Sequence, residues 1–255
     1  MYHELAVSGR ELSRDFNGHV PYAVRQEEFQ SQLDYLRAHN WRGINVTQAL
    51  AESSTSPAVV ITFDDGSETD LHVAAPLLAE AGFQATFYVI ADWLGRPGYL
   101  SASQIRELQA LNFEIGCHSM NHRYLTGLSN RELRVEIEDA KTRLEQVLAR
   151  AVHHFSCPGG FWSQQVARIA AASGYRSVAT SRIGLNDKFS DPYRLCRISI
   201  KRGMPPEAFA SACRGDRLFW KQARERVAAI PKALLGTNLY VRLHAILHPS
   251  DEYAA

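Results

Sequence analysis

An α/β fold built on a mostly parallel sheet is what this sequence predicts, on three observations. Apolar strand-like runs alternate with helical stretches along most of the 255 residues. Hydrophobic residues make up 45% and charged residues 22%, which supplies a core and a solvated surface in ordinary proportion. The ionisable residues of greatest interest follow directly on apolar runs, at the carboxyl ends of the expected strands, where parallel α/β folds gather their chemistry. The length suits a single domain over 1–255 and does not require two.

The elements follow in order. Phe29, Leu33 and Leu36 recur at helical spacing, ahead of the polar stretch Ser53-Ser54-Thr55-Ser56-Pro57, which reads as a loop into a strand over 58–63. A helix over about 68–81 stops at Gly82, and 85–90 is a buried strand. Ser101 with Gln104 forms a capping box that opens the next helix, and 113–117 is a strand. Ser129 and Glu132 form a second box at the head of a long charged helix over 130–149, expected to present a solvated outer face. A strand over 153–157 leads to a proline loop, and a helix over 163–173 ends at Gly174. Strands near 175–180 and 194–200 complete the core, followed by a helical tail over about 205–248.

The chemistry sits in two stretches. Val59 to Gly66 carries an apolar strand straight into two adjacent carboxylates, Asp64 and Asp65, and Glu114 to His122 carries another into His118 and His122. Carboxylates at the end of a buried strand need a cation, an arginine or backbone donors to offset desolvation. Imidazoles at this spacing reach one ion where the backbone bends, and carboxylate with neutral imidazole is a ligand set that suits zinc. Asp65, His118 and His122 leave coordination positions open, which marks a catalytic metal, and Asp64 is then placed to serve as general base. Taken separately, Asp64-Asp65-Gly66 reads equally as a turn and the two histidines as ordinary polar residues. It is the conjunction that favours a site.

These residues resemble the polysaccharide deacetylases that share the NodB homology domain, also called carbohydrate esterase family four. The family's T-F-D-D-G is matched by Thr62 to Gly66, and its H-[ST]-x-x-H by His118-Ser119-Met120-Asn121-His122, over a motif-bearing core of about 58–200. The resemblance implies a distorted (β/α) barrel of about seven parallel strands with an extra helical C-terminal segment. It implies Asp64 as catalytic base, and Asp65, His118 and His122 as ligands of a divalent metal, usually zinc, with cobalt, nickel or manganese as alternatives. The third motif, R-x-P-x-G, corresponds to Ser156-Cys157-Pro158-Gly159-Gly160, with serine where the family has the arginine that orients the base. Pro158 and Gly159 then form the oxyanion loop, the Gly159 N–H being the donor. The fifth motif is a Leu-His pair. The matches late in the chain, Leu243-His244 and Leu247-His248, fall in the helical tail, so the general acid stays unassigned. His153 and His154 enter the third-motif strand together and point to opposite faces, with a structural reading favoured.

The expected activity is removal of an N-acetyl group from an amino sugar in a polysaccharide, oligosaccharide or lipid-linked glycan. Two alternatives stand beside it: a non-catalytic sugar-binding protein that kept the metal site, and a hydrolase of other C–N bonds in small amides or ureides. A net charge of +1 and the absence of a nucleic-acid motif argue against nucleic acid as a partner. Basic residues among apolar ones from Asp216 to Leu247 make a membrane-surface or glycosyltransferase association a secondary expectation beside self-packing. Cys117, Cys157, Cys196 and Cys213 lack metal or disulfide-scaffold spacing and suit a reducing compartment, the first two being expected as buried thiols. The opening residues lack a signal-peptide pattern and no run is long enough to span a bilayer, so a cytoplasmic location is expected.

Overall fold

The structure, a computed structural model, describes residues 1–14, 18–51 and 56–216. In chain order its elements are β1 (Leu5–Ala6), β2 (Val24–Arg25), α1 (Gln26–Ala38), β3 (Arg42–Ile44), α2 (Val46–Ala51), β4 (Ala58–Val60), β5 (Thr62–Phe63), α3 (Ala75–Ala81), β6 (Thr86–Val89) and α4 (Ala102–Ala110). They continue with β7 (Glu114–Cys117), α5 (Asn130–Arg134), α6 (Ala140–Leu148), β8 (His154–Ser156), α7 (Gln164–Ala172), β9 (Ser177–Ala179) and α8 (Pro206–Arg214).

Strands β5 to β9 form a five-stranded parallel sheet in sequence order, with helices between them. Two further backbone segments join its edges. Tyr2 bridges Phe63 on one side and Leu195 bridges Ala179 on the other, both in parallel. The segments themselves meet where Met1 N donates to Ile198 O at 3.0 Å and Ile200 N to Met1 O at 2.9 Å. The curled sheet is thereby drawn round into the distorted barrel that the sequence resemblance implies. The strand expected near 194–200 is reduced to the single Leu195 bridge. The run 58–63 is split in two: β4 pairs with β3, and β5 pairs with β6. Ile61 is the pivot, its N–H given to Ile44 O and its carbonyl taken by Thr86 N. An apolar run records burial but not a change of partner.

Period-two geometry sorts the side chains. Tyr2, Phe63 and Phe87 stack in a row across three neighbouring segments, with centroids 5.2 and 5.1 Å apart, and Phe29 of α1 packs edge-on against Phe63 at 5.6 Å. These rings fill the layer between sheet and helices, and Leu33 and Leu36 of the same helical stripe are buried there too. The alternate residues, Thr62 and Asp64, turn the other way, into the barrel.

The two capping boxes are present at Ser101 and Ser129, each contributing about 1 kcal/mol to its helix. The helix ending at Gly82 begins with a π-turn, Asp70–Ala74, because Pro76 in the next turn has no N–H to continue the regular ladder. The long helix over 130–149 also carries a π-turn, Val135–Asp139, between α5 and α6. Its expected role as a purely solvated face needs correction: the bulge rotates Glu136 inward until it is 1% exposed, and Lys141 is 9% exposed. Among the described residues no helix is long and apolar enough to cross a membrane. The pairs Leu243-His244 and Leu247-His248, most of the basic segment and Ser53 to Thr55 of the expected loop lie outside the described residues.

Candidate active site

The carboxyl ends of β5 and β7 bring the two predicted stretches together. Beyond β5, Asp65 takes a left-handed backbone (φ 79°) and Gly66 follows it (φ 77°), which turns both aspartates across the barrel mouth. Beyond β7, Ser119 (φ 68°) and His122 (φ 62°) are also left-handed, and the Ser119 hydroxyl accepts the His122 N–H at 2.9 Å. This bend lets two imidazoles four positions apart face one point. Glu136, rotated in by the π-turn, holds the bend from behind by accepting the N–H groups of Met120 (3.1 Å) and Asn121 (2.9 Å).

Asp65, His118 and His122 thus offer ligand atoms that all lie within 4.8 Å of one another. Asp65 Oδ1 is 3.4 Å from His118 Nε2 and 3.3 Å from His122 Nε2, yet it has no hydrogen-bond partner and is buried. An orphaned buried carboxylate oxygen between two imidazole nitrogens is the arrangement a divalent cation completes, so the residues fit a metal. His118 Nδ1 lies 2.9 Å from Ser156 O, which fixes that nitrogen as the N–H and leaves Nε2 its lone pair. Burial lowers the His122 pKa, and this favours the neutral, ligating imidazole. Burial alone would push the Asp65 carboxyl up, but Arg14 and the imidazoles hold it well below its usual range.

Asp64 is 2% exposed and its Oδ2 is 3.9 Å from His118 Nε2. The missing third-motif arginine has a replacement from elsewhere in the chain. Arg197 meets Asp64 in a bidentate pair, Nη1 to Oδ1 at 2.7 Å and Nη2 to Oδ2 at 2.8 Å. Ser156, at the family's arginine position, donates to Asp64 Oδ2 at 3.0 Å and accepts from Arg197 Nη2 at 2.8 Å. Arg197 is fixed in turn through Nε to Thr180 O at 2.9 Å. Desolvation would raise the Asp64 pKa; the Arg197 charge, with His118, overrides it and keeps the carboxylate ionised.

Sequence reasoning also missed His3. The Tyr2–Phe63 bridge puts His3 in register with Asp64, and alternation puts both on the barrel face. Its ring packs on Tyr22 at 4.9 Å and its buried Nδ1 has no hydrogen-bond partner. Burial brings its pKa down to about 4, against the pull of Asp65 and Asp64, so it is neutral at rest. His154 is buried with both ring nitrogens engaged, by Ser177 Oγ and Thr47 Oγ1 at 2.8 Å each, which is a structural role. Burial lifts the Cys117 and Cys157 thiols to about 12, so both stay protonated.

Pro158 and Gly159 form a short turn directly after β8, two residues beyond the carbonyl that fixes His118. Gly159 is left-handed (φ 59°), and a Cβ there would come within 2.7 Å of the Tyr124 ring. Only glycine fits under that ring.

Fold and site together define a barrel-type α/β protein with a metal-competent Asp-His-His triad beside a buried, arginine-held aspartate. The sequence model of the polysaccharide deacetylase family matches residues 51–178, and the chain belongs to that family, whose class is hydrolysis of carbon–nitrogen bonds other than peptide bonds. A peptidoglycan-N-acetylglucosamine deacetylase of Bacillus cereus is 33% identical over 124 residues, 48% of this chain and 56% of that protein. A chitooligosaccharide deacetylase of Azorhizobium caulinodans is 32% identical over 136 residues, 52% of this chain and 63% of that protein. The matches thus span between half and two thirds of these relatives. In fold, the Streptococcus pyogenes deacetylase PplD superposes with a TM-score of 0.72 at 22% identity, over 83% of this chain and 95% of that one.

Proposed function

We propose that this chain removes the acetyl group from an N-acetylated amino sugar within a polysaccharide, oligosaccharide or lipid-linked glycan, using a divalent metal, zinc by preference of the ligand set. The observation that carries the reading is the orphaned Asp65 Oδ1 between two imidazoles, with ionised Asp64 alongside. A metal held by Asp65, His118 and His122 supplies Lewis acidity toward the acetamide oxygen and toward water. Asp64 takes the proton of the attacking water. Arg197 and Ser156 hold that carboxylate in one orientation. The Gly159 N–H steadies the oxyanion, a donor of a kind that contributes about 3 kcal/mol where it is preorganised. The proton collected by Asp64 must end on the departing amine. His3 sits next to Asp64 with an unclaimed buried nitrogen and is assigned to pass that proton to the leaving nitrogen. Acetate and the free amino sugar are the products.

The non-catalytic alternative drew its support from a missing arginine and a missing acid. Arg197, paired with Asp64, supports the first of these being supplied from elsewhere in the chain, and His3 is proposed as the second, which favours the catalytic reading.

Acetate release from N-acetylglucosamine oligomers and peptidoglycan fragments is the direct test. Release that stops with chelator and returns with zinc or cobalt is expected; no acetate from any N-acetyl sugar with metal-loaded protein defeats the reading. His3→Gln separates the proton donor from the rest. Amide hydrolysis should fall by about 10²–10⁴-fold, whereas an aryl acetate, whose leaving group needs no proton, should lose far less. Equal losses on both substrates would remove His3 from this role.

A further inference from the structure

Arg14 has no part in the proposed reaction, yet it touches the metal triad. Its Nη2 lies 3.3 Å from Asp65 Oδ2, while Asp65 Oδ1 is the oxygen that faces the two imidazoles. The carboxylate is thereby divided between a guanidinium on one oxygen and the metal position on the other.

The guanidinium is built into place. Arg14 Nε donates to the Tyr99 hydroxyl at 2.5 Å, and its guanidinium carbon lies 4.3 Å from the centroid of the Trp93 ring. The preceding residue is anchored as well. Glu4, 2% exposed, accepts the Ser13 N–H at 2.9 Å and the Ser13 hydroxyl at 2.7 Å, and it also meets His19 Nε2 at 2.9 Å. A Cβ on Gly98 would come within 3.0 Å of Ser13 Cα, so glycine (φ +82°) is what lets this loop approach the turn that carries Tyr99. The outcome is one fixed positive charge against one oxygen of Asp65.

We propose that Arg14 is a positioning residue that reserves Asp65 Oδ2, so that Asp65 presents only Oδ1 to a divalent metal and shares its negative charge between metal and arginine. The assignment rests on the metal reading above. Two effects follow. Asp65 cannot close on the metal through both oxygens, so a coordination position stays open. A cation on the far oxygen also repels the metal ion, and the retained metal is the more electron-poor for it.

Cobalt titration of metal-free protein, followed by visible absorption, reads both effects without any turnover measurement. In Arg14→Gln the cobalt dissociation constant should fall about tenfold, the influence of one charge on a divalent ion under nearly full solvent screening. Its absorption should weaken as the freed oxygen raises the coordination number. Arg14→Lys, which keeps the charge, should stay close to the parent in affinity. An unchanged constant and spectrum in Arg14→Gln would reduce Arg14 to a loop anchor, and a weaker constant would mean that it orients Asp65 without competing; either overturns the assignment. Parent protein that takes up no cobalt overturns the metal reading, and this assignment with it, so the two failures are told apart.

Discussion

Asp64→Asn protein should keep its metal and lose its turnover. Asparagine has the shape of aspartate but cannot accept the proton of water, and a positioned base contributes about 10²–10⁴-fold to such a reaction. The triad itself is untouched, since Asp65, His118 and His122 supply the ligand atoms. The substitution has a structural cost, because Arg197 is then buried against a neutral partner. A lower melting temperature is expected for that reason. Metal content measured on the same preparation shows whether the fold survives, and acetate release then reports the chemistry. Turnover close to that of the parent, with full metal occupancy, would strip Asp64 of its role.

What the sequence revealed of this site, and what it hid, divides along a physical line. Asp64, Asp65, His118 and His122 each follow an apolar strand directly, so local pattern was enough to find them. The capping boxes at Ser101 and Ser129 were legible for the same reason: helix starts are encoded within four residues. Arg197 was not. It stands 133 positions from Asp64, in a segment with one bridge and no continuous strand, and nothing local distinguishes it from the other arginines. The sign that could have pointed to it was negative: Ser156 in place of an arginine leaves a buried aspartate in need of a cation from elsewhere. His3 was hidden by the brevity of its setting. Tyr2 makes an isolated bridge and β1 has only two residues, too short for any periodicity to register. Glu136 was hidden by the π-turn, because regular helical spacing assigns it to the wrong face.

The second large effect concerns Arg197. Arg197→Met keeps a side chain of similar length but leaves Asp64 ionised and unpaired in a buried place, which typically costs about 3–5 kcal/mol. Its pH dependence distinguishes a lost charge partner from a lost packing contact. In the parent the folded-state pKa of Asp64 is depressed, so its stabilising contribution is present above the unfolded carboxylate pKa. That contribution is lost only as pH falls through the much lower folded value. Without Arg197, desolvation is the largest influence left, opposed by His118 and His3, and in metal-free protein the folded pKa is expected to lie above the unfolded one. The sign then reverses: the protonated form is the comfortable one, and stability is lost as pH rises through the new folded value. The melting-temperature gap between Arg197→Met and the parent should therefore be widest near neutrality and narrow toward about pH 4, the ordinary aspartate range. Adding Asp64→Asn to Arg197→Met removes the stranded charge and should recover much of the lost stability, a coupling that two independent sites would not show. A gap of constant size across this pH range, or strictly additive losses in the double variant, would mean that Arg197 supports the barrel by packing and not by balancing the charge of Asp64.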